Sequence, residues 1–555
     1  MPEYPICYVC RYTPAELFAG FGASCALLDT APDSFDCADG CAHPNLCGYG
    51  KAVIEAVHAD PSVRCLVLTD CCDVMRRVFD VLKAGGGPPF LELLSLPHKR
   101  GTAEVRLFAD SLRRLAERWS AYSGIVFSPE LALQSWRECG CAAEDLSAVP
   151  HIALAGAHGG KRLLAAVSSR FSLPVSDDTC TGQRHLKPPA PDFDPARDDF
   201  FLSYADALLN QTRPCLRMLD DSGRAAEPSV VGTVYHTVKF CDYYGFEYCG
   251  LKDRRDTPLL KIETDCTAQS AGQLHTRLDA FAETLHAAPA KRTAAPGAVL
   301  YAAGVDSGST STDAVILDRD CRILGSAILP TGSGAAAGAE KALELALAQA
   351  GLTREELSAV VTTGYGRETL GLEGDSVTEI TCHARGAGFL HPAARTVIDI
   401  GGQDSKVIRI GEDGAVASFV MNDKCAAGTG RFLDMMARTL ELSLEEMSAL
   451  GLRWKNEVTI SSMCTVFAES EVVSLVARNT PAADIIHGLN RAVAGKTSAL
   501  VKRVGGGPAY MMTGGVARNQ GVVRALEGKL GAPVYVPPEA QLCGAIGAAL
   551  IALGK

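Results

Sequence analysis

Two aspartates in the C-terminal half stand where chemistry on a phosphate chain would need them. Asp306 ends the apolar run in LYAAGVDSGSTSTDAVILD and Asp399 ends the one in VIDIGGQDSKVIRI; each runs into a glycine two residues later, Gly308 and Gly401, before a second apolar run leads away. The recurrence reads as an internal duplication. Glycine-containing turns let the backbone approach phosphate oxygens and offer N–H donors, and a carboxylate at a strand end can hold Mg²⁺ directly or through water. Two such loops facing each other would clamp a triphosphate. A third segment, MMTGGVARNQGVV, is expected to end a strand and open a helix at Gly514 and Gly515, a natural place for the nucleoside. One glycine-rich turn alone would mean little; three in this order are specific.

Cysteine is the second chemical signal. Of the 21 cysteines, 16 precede residue 290. The N-terminal segment MPEYPICYVCRYTPAE has neither a basic region nor a long apolar one, so a cytoplasmic location is expected, where surplus thiols point to metal ligation or redox chemistry rather than disulfides. Any single one is better read as a small buried hydrophobe, and it is the surplus as a whole that needs a cause. Cys425 in NDKCAAGTGRFLDMM and Cys464 in ISSMCTVFAESEV each precede a helical pattern, with Thr429 or Ser462 near a cap. Helix N-termini suit an anionic thiolate-ligated cluster. Two cysteines are too few for a four-thiolate cubane and lack the CxxC spacing of a zinc knuckle, but a two-fold dimer supplies the missing pair. A homodimer bridged by one 4Fe–4S cluster is therefore expected.

The elements that must position these groups divide at residues 286–298, HAAPAKRTAAPGA, an Ala/Pro/Gly-rich link after the helical pattern LHTRLDAFAETLH. With 555 residues, several structural units are required. The first half alternates short apolar strands with helical segments (RCLVLTD, DVMRRVFDVLK; HIALAGAHG, KRLLAAVSSRF; then VVGTVYHTVKF before a polar turn), the rhythm of βαβ units on parallel sheets. Two subdomains are expected, 1–145 and 146–285, followed by the link and an ATPase-like domain over 299–555. The fold class is α/β: flavodoxin-like parallel-sheet units, then a duplicated half. Hydrophobic residues make up 47% and charged residues 21%, and no apolar run approaches the length of a membrane span. A net charge of −11 argues against a nucleic-acid partner.

GVDSGSTSTDAVI, VIDIGGQDSKVI and MTGGVARN resemble the two phosphate motifs and the adenosine motif of the actin, hexokinase and Hsp70 ATPase superfamily, while GYGRET (364–369) and LCGAIGAALIA (542–552) resemble its connecting helices. On that resemblance Asp306 and Asp399 are the metal- and water-positioning carboxylates. Ser307, Gly308, Ser309, Thr310, Gly401, Gly402 and Gln403 line the phosphates, and Gly514 and Gly515 lie near the nucleoside. Together with CAAGTGRFL and SSMCTVFAESEV, residues 300–553 resemble the activators of 2-hydroxyacyl-CoA dehydratases and the benzoyl-CoA reductase ATPases: homodimers whose ATP-driven movements inject an electron into a partner enzyme.

RYTPAELFAGFGA, DCCDVMRRVFDVLK, DDTCTGQRH, VKFCDYYGFEY and IETDCTAQSAGQLHTRLDAF resemble the cluster-bearing dehydratase subunits and the related double-cubane cluster proteins. The resemblance implies that Cys47, Cys72, Cys180 and Cys241 are cluster ligands or active-site cysteines, with Cys41, Cys71 and Cys215 as candidate extra ligands; Cys7 and Cys10 suggest metal without being required. Asp73 and Asp242 are equally read as helix caps. Dehydratases use two unlike cluster subunits, whereas this chain fuses one such module to its own activator, which favours a homodimeric reductase over CoA-ester chemistry.

The resulting expectation is an ATP-dependent reductase. It takes an electron from ferredoxin or flavodoxin and delivers it to a second, N-terminal cluster, 4Fe–4S or double cubane, that acts on a small molecule or a 2-hydroxyacyl-CoA. The alternatives are a non-catalytic protein delivering electrons or clusters to a separate enzyme, and a metabolite kinase of the same superfamily.

Overall fold

The computed structural model describes residues 4–140, 146, 148–182, 184, 186–212, 228–252, 257–268, 272–285, 300–332, 334–367, 372, 374–422, 426–460 and 465–555. Cys141, Cys215, Cys425, Ser462, Cys464 and the link 286–298 lie outside them. The chain gathers into two compact units, Met1–Leu278 and Asp279–Lys555. The dividing point falls within the helix Gly272–Thr284, before the Ala/Pro/Gly-rich link.

The first unit carries two four-stranded sheets. Strands β1 (Ile6–Tyr8), β2 (Cys25–Leu27), β3 (Cys65–Thr69) and β4 (Phe90–Leu94) are ordered β2-β1-β3-β4. Strands β5 (His151–Gly156), β6 (Val175–Thr179), β7 (Val230–Val238) and β8 (Leu259–Thr264) are ordered β6-β5-β7-β8. Every pairing is parallel. Parallel strands are covered on both faces, and β3, CLVLT, is accordingly buried along its whole length. In each sheet the strand order reverses beside the first strand of the set, and the crevice outside the carboxyl ends of the strands at that reversal is where open α/β sheets bind ligands. The run after β7 is not only a polar turn: Asp242–Lys252 forms a helix.

A helix drawn from the second stretch of sequence completes the core of the first. Tyr204 and Leu208 of Phe200–Gln211 are buried with Phe108 and Trp119 of the long helix Thr102–Ser123 and with Trp136. Trp119 meets Phe18 and Phe90 edge-on at 5.7 and 4.8 Å.

The second unit repeats one design. β9 (Tyr301–Ser307), β10 (Ser311–Asp318), β11 (Ile323–Pro330), β12 (Ala359–Gly364) and β13 (Asp375–Ser376) are ordered β11-β10-β9-β12-β13. β14 (Thr396–Ile400), β15 (Ser405–Ile410), β16 (Val416–Asn422), β17 (Tyr510–Thr513) and β18 (Val534–Tyr535) are ordered β16-β15-β14-β17-β18. In both sheets the first three strands pair antiparallel and the others parallel. This is the duplicated actin-like fold.

The helices Glu379–Leu390 and Cys543–Ala552 pack on each other, made of small residues that permit close approach: a Cβ on Gly547 would lie 1.8 Å from the Cys382 carbonyl oxygen. Two local expectations need correction. The described part of GYGRET, 364–367, is the end of β12 and a turn, not a connecting helix; Gly364 turns the chain at φ +88°. The Gly514–Gly515 pair does not open an α-helix directly but a 3₁₀ turn, Gly515–Arg518, after which Asn519 caps the helix Gln520–Leu530 through its side chain.

Candidate functional site

Between the two sheets of the second unit lies a cleft of about 850 Å³. Asp306, Gly308, Ser309, Thr310, Asp399, Gly401, Gly402, Gln403, Gly514 and Gly515 all line it. Ser307 does not: it ends β9 with its side chain buried, and its carbonyl accepts the Gly366 N–H at 3.4 Å. The loop after β14 is braced from behind, because the Gly430 and Arg431 N–H groups donate to the Gly401 and Gly402 carbonyls at 2.8 Å each. Thr429 precedes the helix Gly430–Thr439 but does not cap it with its side chain; its hydroxyl donates to the Ala426 carbonyl at 2.6 Å. Gly514 has φ +82°, and a Cβ there would sit 2.8 Å from Asp399 Oδ1.

The register of the two sheets explains the electrostatics of the cleft floor. In the first sheet Asp306 is paired with Asp313 across β9–β10 and with Thr363 across β9–β12. In the second, Asp399 is paired with Lys406 across β14–β15 and with Thr513 across β14–β17. The copies thus differ in the charge of one cross-strand partner.

Burial raises Asp306, and His383 and Lys406 only partly offset it. Asp313, buried beside Asp306, is pushed up to about 8. Burial would raise Asp399 too, but His383, Lys406 and a 2.9 Å hydrogen bond from the Thr513 hydroxyl bring it below the ordinary carboxylate range. Lys406 Nζ lies 2.9 Å from Asp404, 3.2 Å from Glu379 and 3.3 Å from Asp399. These carboxylates outweigh its own burial and raise it well above its usual value. Glu379, on the helix Glu379–Leu390, is pushed up to about 7 by burial, with Lys406 opposing and Asp404 adding.

His383, one turn further along that helix, spans the two repeats: Nε2 is 3.7 Å from Asp306 Oδ2 and Nδ1 is 3.7 Å from Asp399 Oδ1. Asp313, Glu379, His383, Asp404, Lys406 and Thr513 were not among the sequence-derived candidates. Asp313 and Lys406 carried a signal, each seven residues after its motif aspartate. Thr378 caps the helix Glu379–Leu390, and its hydroxyl donates to Glu283 at 2.5 Å. The cleft fits a Mg²⁺–nucleotide, with glycine loops for the phosphates and clustered buried carboxylates that outnumber the one lysine buried among them.

A second pocket lies in the first unit, at the strand-order reversals of both sheets. Cys10 follows β1, Cys71 and Cys72 follow β3, Cys180 follows β6 and Cys241 follows β7, and all line the pocket with Cys47. Cys47 and Cys72 occupy the N-cap positions of the helices Gly48–Ala59 and Asp73–Ala84, so helix N-termini face the pocket. Asp73 is thus the first helical residue, not the cap. Cys7 is buried in the core and Cys41 is exposed; neither lines the pocket. Burial pushes Cys47 up to about 11 and raises Cys241.

The cavity is about 90 Å³. Among the described residues no three His, Cys, Asp or Glu side chains converge as a single metal ion would require. Thiols distributed around a cavity suit a polynuclear cluster better than one ion. Among the described residues, no helix is long and apolar enough to cross a membrane.

The fold and cleft of the second unit define an actin-like ATPase. The chain belongs to the BadF/BadG/BcrA/BcrD ATPase family, whose model matches residues 303–552. The model described as 2-hydroxyglutaryl-CoA dehydratase, D-component, matches residues 10–149 and 150–285. The chain is 46% identical over 256 residues to the 2-hydroxyisocaproyl-CoA dehydratase activator of Clostridioides difficile, covering 46% of this chain and 96% of that protein. It is 45% identical over 257 residues to the (R)-2-hydroxyglutaryl-CoA dehydratase activating ATPase of Acidaminococcus fermentans, covering 46% and 98%. With a benzoyl-CoA reductase subunit of Thauera aromatica it shares 37% identity over 218 residues, 38% of this chain and 77% of that one.

Proposed function

We propose that this protein is an ATP-driven reductase that carries its own electron activator. Nucleotide turnover in the second unit raises the reducing power of a 4Fe–4S centre held by Cys425 and Cys464 of two copies of the chain. The electron, taken from a ferredoxin or flavodoxin, passes to an iron–sulfur centre held by the cysteine pocket of the first unit, where a small molecule is reduced or the dehydration of a 2-hydroxyacyl-CoA is initiated. The observation that carries the reading is the six-cysteine pocket at the reversals of two parallel sheets, in the same chain as an ATPase whose relatives are named as dehydratase activators.

In the cleft, the loops around Gly308 and Gly402 bind the phosphates, and Asp306 and Asp399 are the carboxylates for Mg²⁺, which would screen the charge of the triphosphate. Glu379 accepts the proton of the attacking water, a role suited to a carboxylate near pH 7. Lys406 keeps Asp399 ionised. Turnover does work on the rest of the chain to the extent that ATP and ADP favour different conformations. In the first unit, Cys47, Cys72, Cys180 and Cys241, with Cys10 and Cys71 at hand, are the thiolates for a cluster that would supply single electrons at low potential. The apolar walls exclude water.

Phe467, Val473 and Val476 are exposed apolar side chains on the helix Thr465–Ala477, directly after Cys464, which supports a homodimer. Iron and sulfide counting with EPR on anaerobically purified protein tests the reading. The double variants Cys47→Ser/Cys241→Ser and Cys425→Ser/Cys464→Ser should each remove a different part of the iron. Retention of all iron and of ATP-driven electron transfer in the second variant would sink the proposal, and retention of all iron in the first would leave only an activator that serves a separate enzyme.

A further inference from the structure

The last turns of the helix Gly272–Thr284 belong to one half of the chain by sequence and to the other by packing. The dehydratase-component match runs to residue 285 and the ATPase-family match begins at 303, yet the residues from Asp279 onward gather with the second unit. Three of their side chains are engaged there. Ala280 is buried with Ile380 and Ala384 of the helix Glu379–Leu390. Glu283 holds the N-terminus of that helix: its carboxylate accepts the Thr378 N–H at 3.2 Å, the Thr378 hydroxyl at 2.5 Å and the Thr381 hydroxyl at 2.6 Å. Asp279 accepts a hydrogen bond from the buried guanidinium of Arg367 at 2.6 Å.

Both elements held in this way border the nucleotide cleft. The helix carries Glu379 and His383 into it. Arg367 lies in the turn after β12, whose Gly364 is so near Asp306 that a Cβ on it would lie 2.7 Å from Oδ1. The Arg367 N–H donates to the Gly364 carbonyl at 3.3 Å, and the Arg367 carbonyl accepts the Thr362 hydroxyl at 3.3 Å. The helix gains from an outside hold, because its own cap is long, with the Thr381 N–H 3.5 Å from the Thr378 hydroxyl oxygen. An anion at a helix N-terminus meets the positive end of the dipole, and hydrogen bonds to a carboxylate are stronger than those between neutral groups.

We propose that Asp279 and Glu283 are positioning residues for ATP hydrolysis, a clamp by which the end of the dehydratase-like sequence holds the wall of the cleft that bears Glu379 and His383. The inference rests on the reading of Glu379 as acceptor of the proton of the attacking water.

With Glu283 in place the start of the helix is fixed and Glu379 stays buried. Without it Thr378 and Thr381 lose an acceptor that they share, the first turn loosens toward solvent, and Glu379 becomes hydrated. A hydrated carboxyl ionises at lower pH and is no longer aimed at the water. The loops around Gly308 and Gly402 lie on other elements and keep their hold on the phosphates, so the loss falls on kcat and not on KM.

The test uses the full-length protein. Glu283→Leu should lower kcat for ATP hydrolysis at least fivefold, leave KM for ATP within about twofold, and move the acid limb of the pH profile of kcat down by about half a pH unit or more. Thr378→Ser, which keeps the hydroxyl, should behave as wild type. Asp279→Ala and Arg367→Leu should each lower kcat, and together no further than Arg367→Leu alone; additive losses would remove Asp279 from the clamp. A second readout needs no turnover. By hydrogen exchange and mass spectrometry, the amides of Glu379–Leu390 should exchange at least fivefold faster in Glu283→Leu, while those of β14 keep the wild-type rate and so show that the variant folds. Wild-type kcat, pH profile and exchange in Glu283→Leu would overturn the clamp, and so would faster exchange spread over β14 as well as the helix, the mark of a merely structural role. Glu379→Gln that hydrolyses ATP at the wild-type rate would overturn the reading of Glu379, and exchange in Glu283→Leu would still decide whether the helix is clamped.

Discussion

Gly402 and Thr310, from the two phosphate loops, stand so close that a Cβ on Gly402 would lie 1.7 Å from Thr310 Oγ1. The loops of the two repeats therefore meet through a glycine, and the cleft can close only while that position lacks a side chain. Gly402→Ala should cut ATPase activity at least tenfold and weaken nucleotide binding, since a methyl group must displace a hydroxyl that lines the cleft. Pairing it with Thr310→Ser, which keeps Oγ1, should not restore activity, whereas Thr310→Gly should restore part of it. Calorimetric titration with a non-hydrolysable ATP analogue checks both.

Lys406 is buried among Glu379, Asp399 and Asp404. Lys406→Met leaves those carboxylates unbalanced, and removing one partner of a buried ionic group costs ~3 kcal/mol or more. The thermal transition of the second unit should fall by several degrees at pH 8 and recover partly at pH 5.5, where protonation relieves the repulsion. A pH-independent loss would show that Lys406 acts by packing alone.

Glu379 sets a pH dependence whose sign follows from its environment. Its folded value, about 7, exceeds the ordinary 4.5, so between those limits the folded protein holds a proton that the unfolded chain has lost. Stability of the nucleotide-free protein should decline as pH rises from 4.5 to 7, and Glu379→Gln should flatten that slope. The same variant should bind ATP but lose hydrolysis, which phosphate-release assays can measure.

Cys47 and Cys72 hold helix N-cap positions, where serine is among the favoured residues. Cys47→Ser and Cys72→Ser should fold at least as well as the parent, by thermal melt, and still lose iron from the first unit while ATPase activity persists. Instability of both would show that these thiols serve the core.

Much of the ATPase cleft was readable because its motifs are local. A strand, an aspartate and a glycine turn lie within a few residues, and the duplication repeats the pattern at Asp306 and Asp399. The residues that sequence reasoning missed are placed by tertiary contacts. Glu379 and His383 reach the cleft only because their helix packs on the helix Cys543–Ala552, and nothing in TEITCHARG announces that. Lys406 could have been found by laying the repeats over each other. In the first unit, the resemblance to the cluster-bearing subunits singled out Cys47, Cys72, Cys180 and Cys241, but whether Cys10 or Cys41 joins them depends on loop paths that no periodicity encodes.

The contrast between Asp313 and Lys406 gives the duplicated cleft a direction. Two identical copies of one motif would present the same face from either side, and a triphosphate could lie across them head to tail or tail to head with equal energy. An acid in one copy and a base in the other remove that degeneracy. The two walls that a terminal phosphate would meet therefore differ in the charge of one cross-strand partner.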